Sequence, residues 1–575
     1  MPSVRSSLAI CFRVAVALCT QSFFQPDEYF QSLEPAHHLV FGYGQLTWEW
    51  TNPKPLRSIL YPMVNVPWFW FLKTLGWDAR FPWLLVIGPK IIHGILAAFT
   101  DIWVCALSRK ILNDAFTSTT YFLSLTSFFH ALSLSRSLSN SLETSLTTIA
   151  LSCFPWDYIA SSQPVNFRRI DVRYCMVFGA LAFILRPTNA IIWMYMFGAL
   201  FWQLRNNRHA TFILFLECAV IGSVALLLAF VLDSTYYGTP TLTILNFLHF
   251  NASSVSLFYG SSPWHYYLSQ ALPILCTTSL PFVLHGTWIA MTKAEPKPRM
   301  LLGCIVWTIA VYSVAGHKEW RFLHPLLPML HILASRSLVE LYHRSGNKEA
   351  KNKHQRKSCT NLFHSRLPIK PGHLYFLLLT MPASVYIVFS HCTGQIKVMR
   401  YLQNQPPDDM VSVGFLMPCH STPWQAYLHN PKLAQPGRMW ALGCEPPLGV
   451  RNRLHYKDQT DIFFESPVSY MKTHFPRTVN PTYPPSPSAT SIPDAAFIQK
   501  LHEVEKTSQS WDLGWAHEWP SHLVLFGSLL NESGMPELLK GKGYAEVWQG
   551  GWEWEGDNKR KGGVRVWRHK PLVSS

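Results

Sequence analysis

The sequence is short of charge. Only 14% of its 575 residues are Asp, Glu, Lys or Arg, where an ordinary globular protein carries about 25%. A chain this apolar does not read as a string of soluble domains. A disulfide framework is also missing: the 12 cysteines include no CxxC pair, and Cys105, Cys153, Cys175, Cys218, Cys276 and Cys304 fall inside apolar blocks, where a thiol behaves as a small hydrophobe. No internal repeat stands out, which excludes solenoids and propellers. A helical HExxH box is absent, because His517-Glu518-Trp519-Pro520-Ser521-His522 has the wrong spacing and carries a proline. Acidic residues are the scarcer sign, 33 against 49 basic, for a net charge of +16. The basic excess sits between apolar blocks rather than on one soluble face, which argues against a nucleic-acid partner and fits the positive-inside rule for membrane proteins.

What is present in abundance is apolar sequence in blocks near the roughly 20 residues that cross a bilayer core. The first, Leu8 to Phe24, has a basic start but no small-residue cleavage site before Gln25-Pro26-Asp27-Glu28, and reads as an uncleaved span. Residues 59–76 hold two prolines and Lys73 and read as interfacial. Further blocks lie at 82–107, 117–135, 142–154, 174–185, 190–202, 211–232, 268–290, 300–316, 322–338 and 373–392. The expectation is a polytopic α-helical membrane protein of about eleven spans with a cytosolic N-terminus. On that scheme the basic connectors at 205–209, 293–299 and 336–370 fall in the cytosol. The glycosylation sequons at Asn251 and Asn531 fall on the opposite, luminal side.

Beyond about residue 395 Pro, Asp, His and Trp rise, and the apolar runs shorten to strand length. Val411 to Met417, Ile462 to Phe464, Leu523 to Phe526 and Val564 to Trp567 read as strands, and Ala496 to Lys506 as an amphipathic helix. The organisation expected is a multi-span membrane domain over 1–394, containing a first luminal loop at 25–58 and a basic cytosolic loop at 339–371, followed by a luminal α/β domain at 395–575 with a Pro/Ser/Thr-rich loop at 478–493. Cys419 and Cys444 lie in that oxidising segment 25 residues apart and are expected to pair, with Cys392 as the competitor.

Charges in short loops between spans are functional candidates by default. Asp27 and Glu28 follow the first span, although an acidic pair there can simply end a helix in water. His317-Lys318-Glu319-Trp320-Arg321-Phe322 packs three potential cations and one acid between two spans; its plain reading is juxtamembrane anchoring, which its expected luminal side weakens. Together the loops offer what sugar transfer from a lipid phosphate to a hydroxyl needs. A carboxylate takes the proton of the attacking hydroxyl, and cations hold the departing phosphate. A phosphodiester is already a good leaving group, so no metal or other cofactor is expected. Asp101, Lys90 and Arg186, inside apolar blocks, would suit a transporter but equally serve as structural pairs.

Pro26-Asp27-Glu28, Glu34-Pro35-Ala36-His37, Phe41-Gly42-Tyr43-Gly44, Thr47-Trp48-Glu49-Trp50 and His317-Lys318-Glu319-Trp320-Arg321-Phe322 resemble the endoplasmic-reticulum α-mannosyltransferases that use dolichyl-phosphate mannose, a GT-C membrane family. Within it, the block Tyr259 to Tyr267 and the tail segment Gly414 to Trp424 look like the branch that extends the glycosylphosphatidylinositol (GPI) precursor. The resemblance implies α1,2 transfer of a third mannose in the lumen, with Asp27 as catalytic base beside Glu28. His317, Lys318, Arg321 and His265 would serve the donor phosphate, with Glu319 orienting the cations. Its partners would be the lipid-linked donor, the GPI-precursor acceptor and the membrane. Gln25 and Ser262 stand where the family usually has His. A relative acting on the dolichol-linked N-glycan precursor would share both loops and stays open.

Overall fold

The computed structural model describes residues 4–160, 168–352, 367–406, 408–448, 450, 456–487, 495–507 and 511–570. Parts of two segments named from the sequence, 353–366 of the basic loop and 488–493 of the Pro/Ser/Thr-rich loop, lie outside the described residues. The chain divides into two compact units, one of residues 1–19, 90–242 and 259–387, the other of residues 20–89, 243–258 and 388–575.

The first unit is helical. Among the described residues of the whole chain, five segments are long and apolar enough to cross a membrane: Trp83–Ile111, Arg208–Tyr237, Tyr267–Thr292, Trp320–Arg344 and Pro371–Gln403. The other apolar blocks from 117 to 316 fold as helices of 13 to 19 residues, including Asp114–Thr126, Ser139–Cys153 and Pro296–Val314. Burial separates their surroundings. Arg208–Tyr237 exposes Phe212, Phe215, Val220, Val224 and Leu227, spaced along one side, whereas Leu323, Leu327, Leu330, Ile332 and Leu333 of Trp320–Arg344 are buried. The buried segment meets Leu280–Thr292 at Gly286, where an added Cβ would stand 2.0 Å from the Leu333 carbonyl oxygen, so this crossing requires glycine.

Two buried ion pairs lie in this unit. Arg13 donates to Asp101 through Nε at 2.6 Å and Nη2 at 2.9 Å, and also to the Ser124 carbonyl at 2.7 Å; both ionic side chains are wholly buried. Ser124 Oγ donates to the same carboxylate at 2.6 Å. Arg186 pairs with Glu143, which also accepts from Asn189. A charge in an apolar interior needs a local counter-charge, and Arg13 with Asp101 and Arg186 with Glu143 supply it across 88 and 43 residues of sequence.

The second unit is built on a five-stranded sheet of order β2-β1-β3-β5-β4, with β1 Val413–Leu416, β2 Met439–Ala441, β3 His522–Phe526, β4 Tyr544–Gly550 and β5 Val564–His569. β1 runs parallel to β2 and β3, and β5 antiparallel to β3 and β4. Strand periodicity separates two cores. Val413, Phe415, Met417, Val524, Phe526, Val564 and Val566 pack on one side with Tyr29, Phe30, Leu33, Val398 and Leu402. Leu416, Trp440, Leu523, Leu525 and Trp567 pack on the other with Phe463, Phe475, Trp519 and Met535. One expectation is corrected: Ile462 to Phe464 lies in the helix Gln459–Glu465, not in a strand. Asp458 caps it by accepting from the Asp461 N–H at 2.7 Å, and a three-residue apolar run carries no period of its own.

The Arg13–Asp101 pair gives a test of how the first unit is held. Asp101→Ala leaves a buried guanidinium unbalanced and should cost about 3–5 kcal/mol, whereas replacing both partners by Leu and Met should recover most of it. Thermal unfolding of the purified protein in detergent distinguishes the two variants.

Candidate active site

In the second unit the site begins with a helix start. Pro26 opens it, its carbonyl accepting from the Tyr29 and Phe30 N–H groups at 3.0 Å each, so Asp27 and Glu28 occupy the first turn, where the exposed N–H groups and helix dipole favour a carboxylate. Glu28 is buried and Asp27 half-buried. Tyr29–Leu33 then widens into a π turn before the helix Glu34–Phe41. Pro35 has no N–H to continue the ladder, and the Glu34 N–H reaches back to the Tyr29 carbonyl. Trp50 Nε1 donates to the Phe30 carbonyl at 3.0 Å. Glu49 accepts from Gln31 at 3.0 Å and from Arg57 at 2.6 Å. The Thr47-Trp48-Glu49-Trp50 motif therefore braces the turn that carries Asp27.

Beneath that turn Glu34 is fully buried. It accepts three backbone N–H groups, from Gln45 at 2.9 Å, Gln425 at 3.0 Å and Ala426 at 2.8 Å. Burial is the larger influence and pushes its pKa up to about 7, against the lowering effect of those N–H groups. Gly44 passes close by: an added Cβ would lie 3.0 Å from Glu34 Oε1, on a backbone with φ of +139°. His37 is buried between the Tyr43 carbonyl at 3.0 Å and His429 at 2.9 Å, and His429 reaches Asp78 at 3.2 Å. Burial lowers the pKa of both rings, to about 3 for His37.

Cys419 and Cys444 are joined in a disulfide with Cα atoms 6.0 Å apart. Their sulfurs lie beside His420, but both are committed to that bond, so the trio offers no thiolate to a metal ion. His420 packs on Phe30 with ring centroids 4.5 Å apart, and both line a cleft with Gln45, Met417, Thr422 and Glu445. Burial lowers the His420 pKa to about 4, with the nearby Asp27 charge acting in the opposite direction. Asn251, in the helix Thr243–Ala252, and Asn531 are both exposed and belong to this unit.

The cationic loop belongs to the first unit. Glu319 is its hub: Arg321 donates to it through Nε at 2.5 Å and Nη2 at 3.0 Å, and His317 Nε2 lies 3.2 Å away. Burial works to raise the Glu319 pKa, but the Arg321 guanidinium, with His317, outweighs it and holds the carboxyl well below its usual range. The hydrogen bond to Glu319 raises the His317 pKa and favours the imidazolium. Lys318 donates to the Ser262 carbonyl at 2.8 Å, His317 Nδ1 sits 3.3 Å from the Gly260 carbonyl, and the Ser262 N–H donates to the Gly316 carbonyl at 3.1 Å. The block 259–267 and the loop 316–322 are thus brought side by side. His265 is exposed, hydrogen-bonded to Ser269 at 2.9 Å. Ser262 serves the lysine through its backbone, which any residue there can supply. Arg186 stands 5.4 Å from the Phe322 ring centroid. Glu34, His420 and Glu143 drew no site role from the sequence, although Glu34 and His420 lie in quoted motifs, and Arg186 was named only as a charge inside an apolar block.

Residues 6–429 match the Alg9-like mannosyltransferase family. The chain is 37% identical to GPI mannosyltransferase 3 of Yarrowia lipolytica over 92% of its own length and 89% of the relative's. It is 34% identical to GPI alpha-1,2-mannosyltransferase 3 of Homo sapiens over 81% and 76% of the two chains. Among solved structures it superposes on ArnT from Cupriavidus metallidurans bound to undecaprenyl phosphate with a TM-score of 0.54 at 11% identity, covering 100% of this chain and 98% of ArnT. That likeness is one of fold.

Glu34 yields a pH-dependent stability. A carboxyl whose folded pKa of about 7 lies above its ordinary 4.5 contributes stability fully present below 4.5 and lost as pH rises through 7. Glu34→Gln should flatten that dependence. It should also cost about 1–3 kcal/mol, because its NH2 group faces an N–H where a carboxyl oxygen accepted one. Chemical or thermal unfolding at pH 5 and pH 8 measures both effects.

Proposed function

The chain belongs to the Alg9-like mannosyltransferase family, and from that premise we propose that it moves mannose from dolichyl-phosphate mannose to the second mannose of the GPI-anchor precursor, in α1,2 linkage, at the luminal face of the endoplasmic-reticulum membrane. The observation that carries this reading is the preset cationic loop. Glu319 fixes Arg321 and His317, and the Ser262 carbonyl fixes Lys318, so three donors stand ordered before any phosphate arrives. The relatives named for GPI mannosyltransferase 3 favour the GPI precursor over the N-glycan precursor as acceptor.

In the proposed reaction the acceptor hydroxyl oxygen attacks the anomeric carbon as its proton passes to the Asp27 carboxylate. The bond from that carbon to the phosphate oxygen breaks, and its electron pair leaves with dolichyl phosphate, held by the His317–Arg321 loop. Glu28 supports the turn that presents Asp27. A single acidic site suits one displacement with inversion, which turns the β-linked donor into an α-mannoside. The phosphate leaves without need of a metal or other cofactor. On this reading about eleven segments cross the bilayer, counting helices too short to span unaided. The sheet-bearing tail lies in the lumen with the Asn251 and Asn531 sequons, and the basic segment 339–371 in the cytosol.

Asp27→Asn should lower transfer by about 10² to 10⁴ while the protein still accumulates, since the amide is nearly isosteric but accepts no proton. Membranes given labelled dolichyl-phosphate mannose and acceptor lipid report it; wild-type turnover would move the role of base to Glu28.

Arg321→Ala should raise the donor concentration needed for half-maximal rate more than the acceptor concentration. An unchanged donor dependence would make the loop a mere anchor. The product should yield to an α1,2-mannosidase, and a slow fluorinated donor should trap no mannosyl-enzyme; an adduct on Asp27, Glu28 or Glu319 would replace one displacement by two.

A further inference from the structure

The turn after β1 holds its histidine in an unusual backbone. His420 has φ of +55°, the left-handed region that favours glycine, and an L-residue with a β-carbon adopts it at a cost of about 1–2 kcal/mol. The surroundings impose it. Cys419 is tied to Cys444, Met417, Ser421 and Thr422 are buried, and the Ser421 hydroxyl donates to the Pro418 carbonyl at 2.5 Å. Four residues further on, Glu34 captures the N–H groups of Gln425 and Ala426. Glycine would occupy this position without strain. Strain held by its surroundings points to use of the side chain it presents.

That side chain is aimed at the Asp27 turn. The imidazole lies on Phe30 at 4.5 Å between centroids, and Phe30 is three residues after Asp27, on the same side of the helical turn. Nδ1 faces the Cys444 sulfur at 3.7 Å, so Nε2 is the ring nitrogen turned away from the disulfide. Asp27 and His420 interact electrostatically, and the ring is neutral at physiological pH. The other titratable group of the cleft is Glu445, while Glu28 neighbours Asp27 in the chain and the two cysteines do not titrate.

We propose that His420 is a positioning residue for Asp27, its Nε2–H donating to one carboxylate oxygen so that the other faces the acceptor hydroxyl. This rests on the reading of Asp27 as the base. His420 takes no proton in the reaction: the hydroxyl proton ends on Asp27, and the imidazole keeps its own. It holds the carboxylate's rotamer. The turn after β1 thereby acts on the chemistry through the placement of Asp27.

The test uses the full-length protein in detergent or proteoliposomes, with labelled dolichyl-phosphate mannose and a GPI-precursor acceptor. His420→Gly suits the backbone better than histidine and should fold, yet its kcat should fall by about 10- to 100-fold, the scale of a misplaced catalytic group. KM for donor and acceptor should hold, because the loss is one of carboxylate placement and not of substrate binding. His420→Gln, whose amide N–H reaches about as far as Nε2, should recover most of the rate; His420→Asn, whose amide stops at the Nδ1 position, should not. A glycine variant with wild-type kcat, or equal rates for Gln and Asn, overturns the proposal. Asp27→Asn, run alongside, separates the cases: if it is inactive while His420→Gly is unimpaired, the base assignment stands and only the positioning role falls. If Asp27→Asn is itself active, the base assignment has failed.

Discussion

The second unit depends on one buried carboxylate. Glu34 sits on the helix that continues from Asp27 and collects N–H groups from residue 45 on one side and residues 425 and 426 on the other. Those backbone donors would otherwise be buried unpaired, at a cost of about 1–3 kcal/mol each. One side chain thus fixes three pieces of chain that lie up to 392 residues apart. A side chain carried on a helix is held more precisely than one on a loop. Here the sheet face supplies stiffness, through Tyr29, Phe30 and Leu33 in its core, and Glu34 fixes the height at which the turn sits on that face.

The first unit handles the opposite sign by a different device. Its cations are fixed by an acid: Glu319 holds Arg321 in a two-point grip and His317 from the other side. A nearby acid weakens the net field on a phosphate, but it fixes donors that would otherwise have to be ordered on binding. On the proposed reading the ligand is a lipid phosphate that binds and then leaves, a case in which preorganised donors are favoured. Arg186, balanced by Glu143 and set over Phe322, extends the same scheme one layer deeper.

Features with a local period were legible in the sequence. Val413, Phe415 and Met417 alternate with Gly414 and Leu416, and both cores follow that alternation. The loops bearing Asp27 and His317 could be named because charge among apolar blocks is costly and therefore informative. Long-range partnerships were not legible. Nothing local says that Asp101 pairs with Arg13, 88 residues away, or that the Trp48-Glu49-Trp50 stretch braces a π turn made necessary by Pro35. Ile462 to Phe464 failed for the opposite reason: three apolar residues fit either period, and the cap at Asp458 decided for helix.

Composition and packing partition this chain differently, and each reports a separate constraint. The change near residue 395 is one of composition, since Pro, His and Trp enter where long apolar runs stop. Packing groups residues 20–89 and 243–258 with residues 388–575, because the apolar face of the sheet needs cover and the segment after Pro26 supplies it. A strand face left open is a liability in any aqueous compartment. Covering it with the segment that carries Asp27 makes the stability of the tail and the placement of that carboxylate one problem. Changes deep in the sheet, such as truncation of Phe415 or Val524, must then reach Asp27 through Phe30 and Leu33 without touching any substrate.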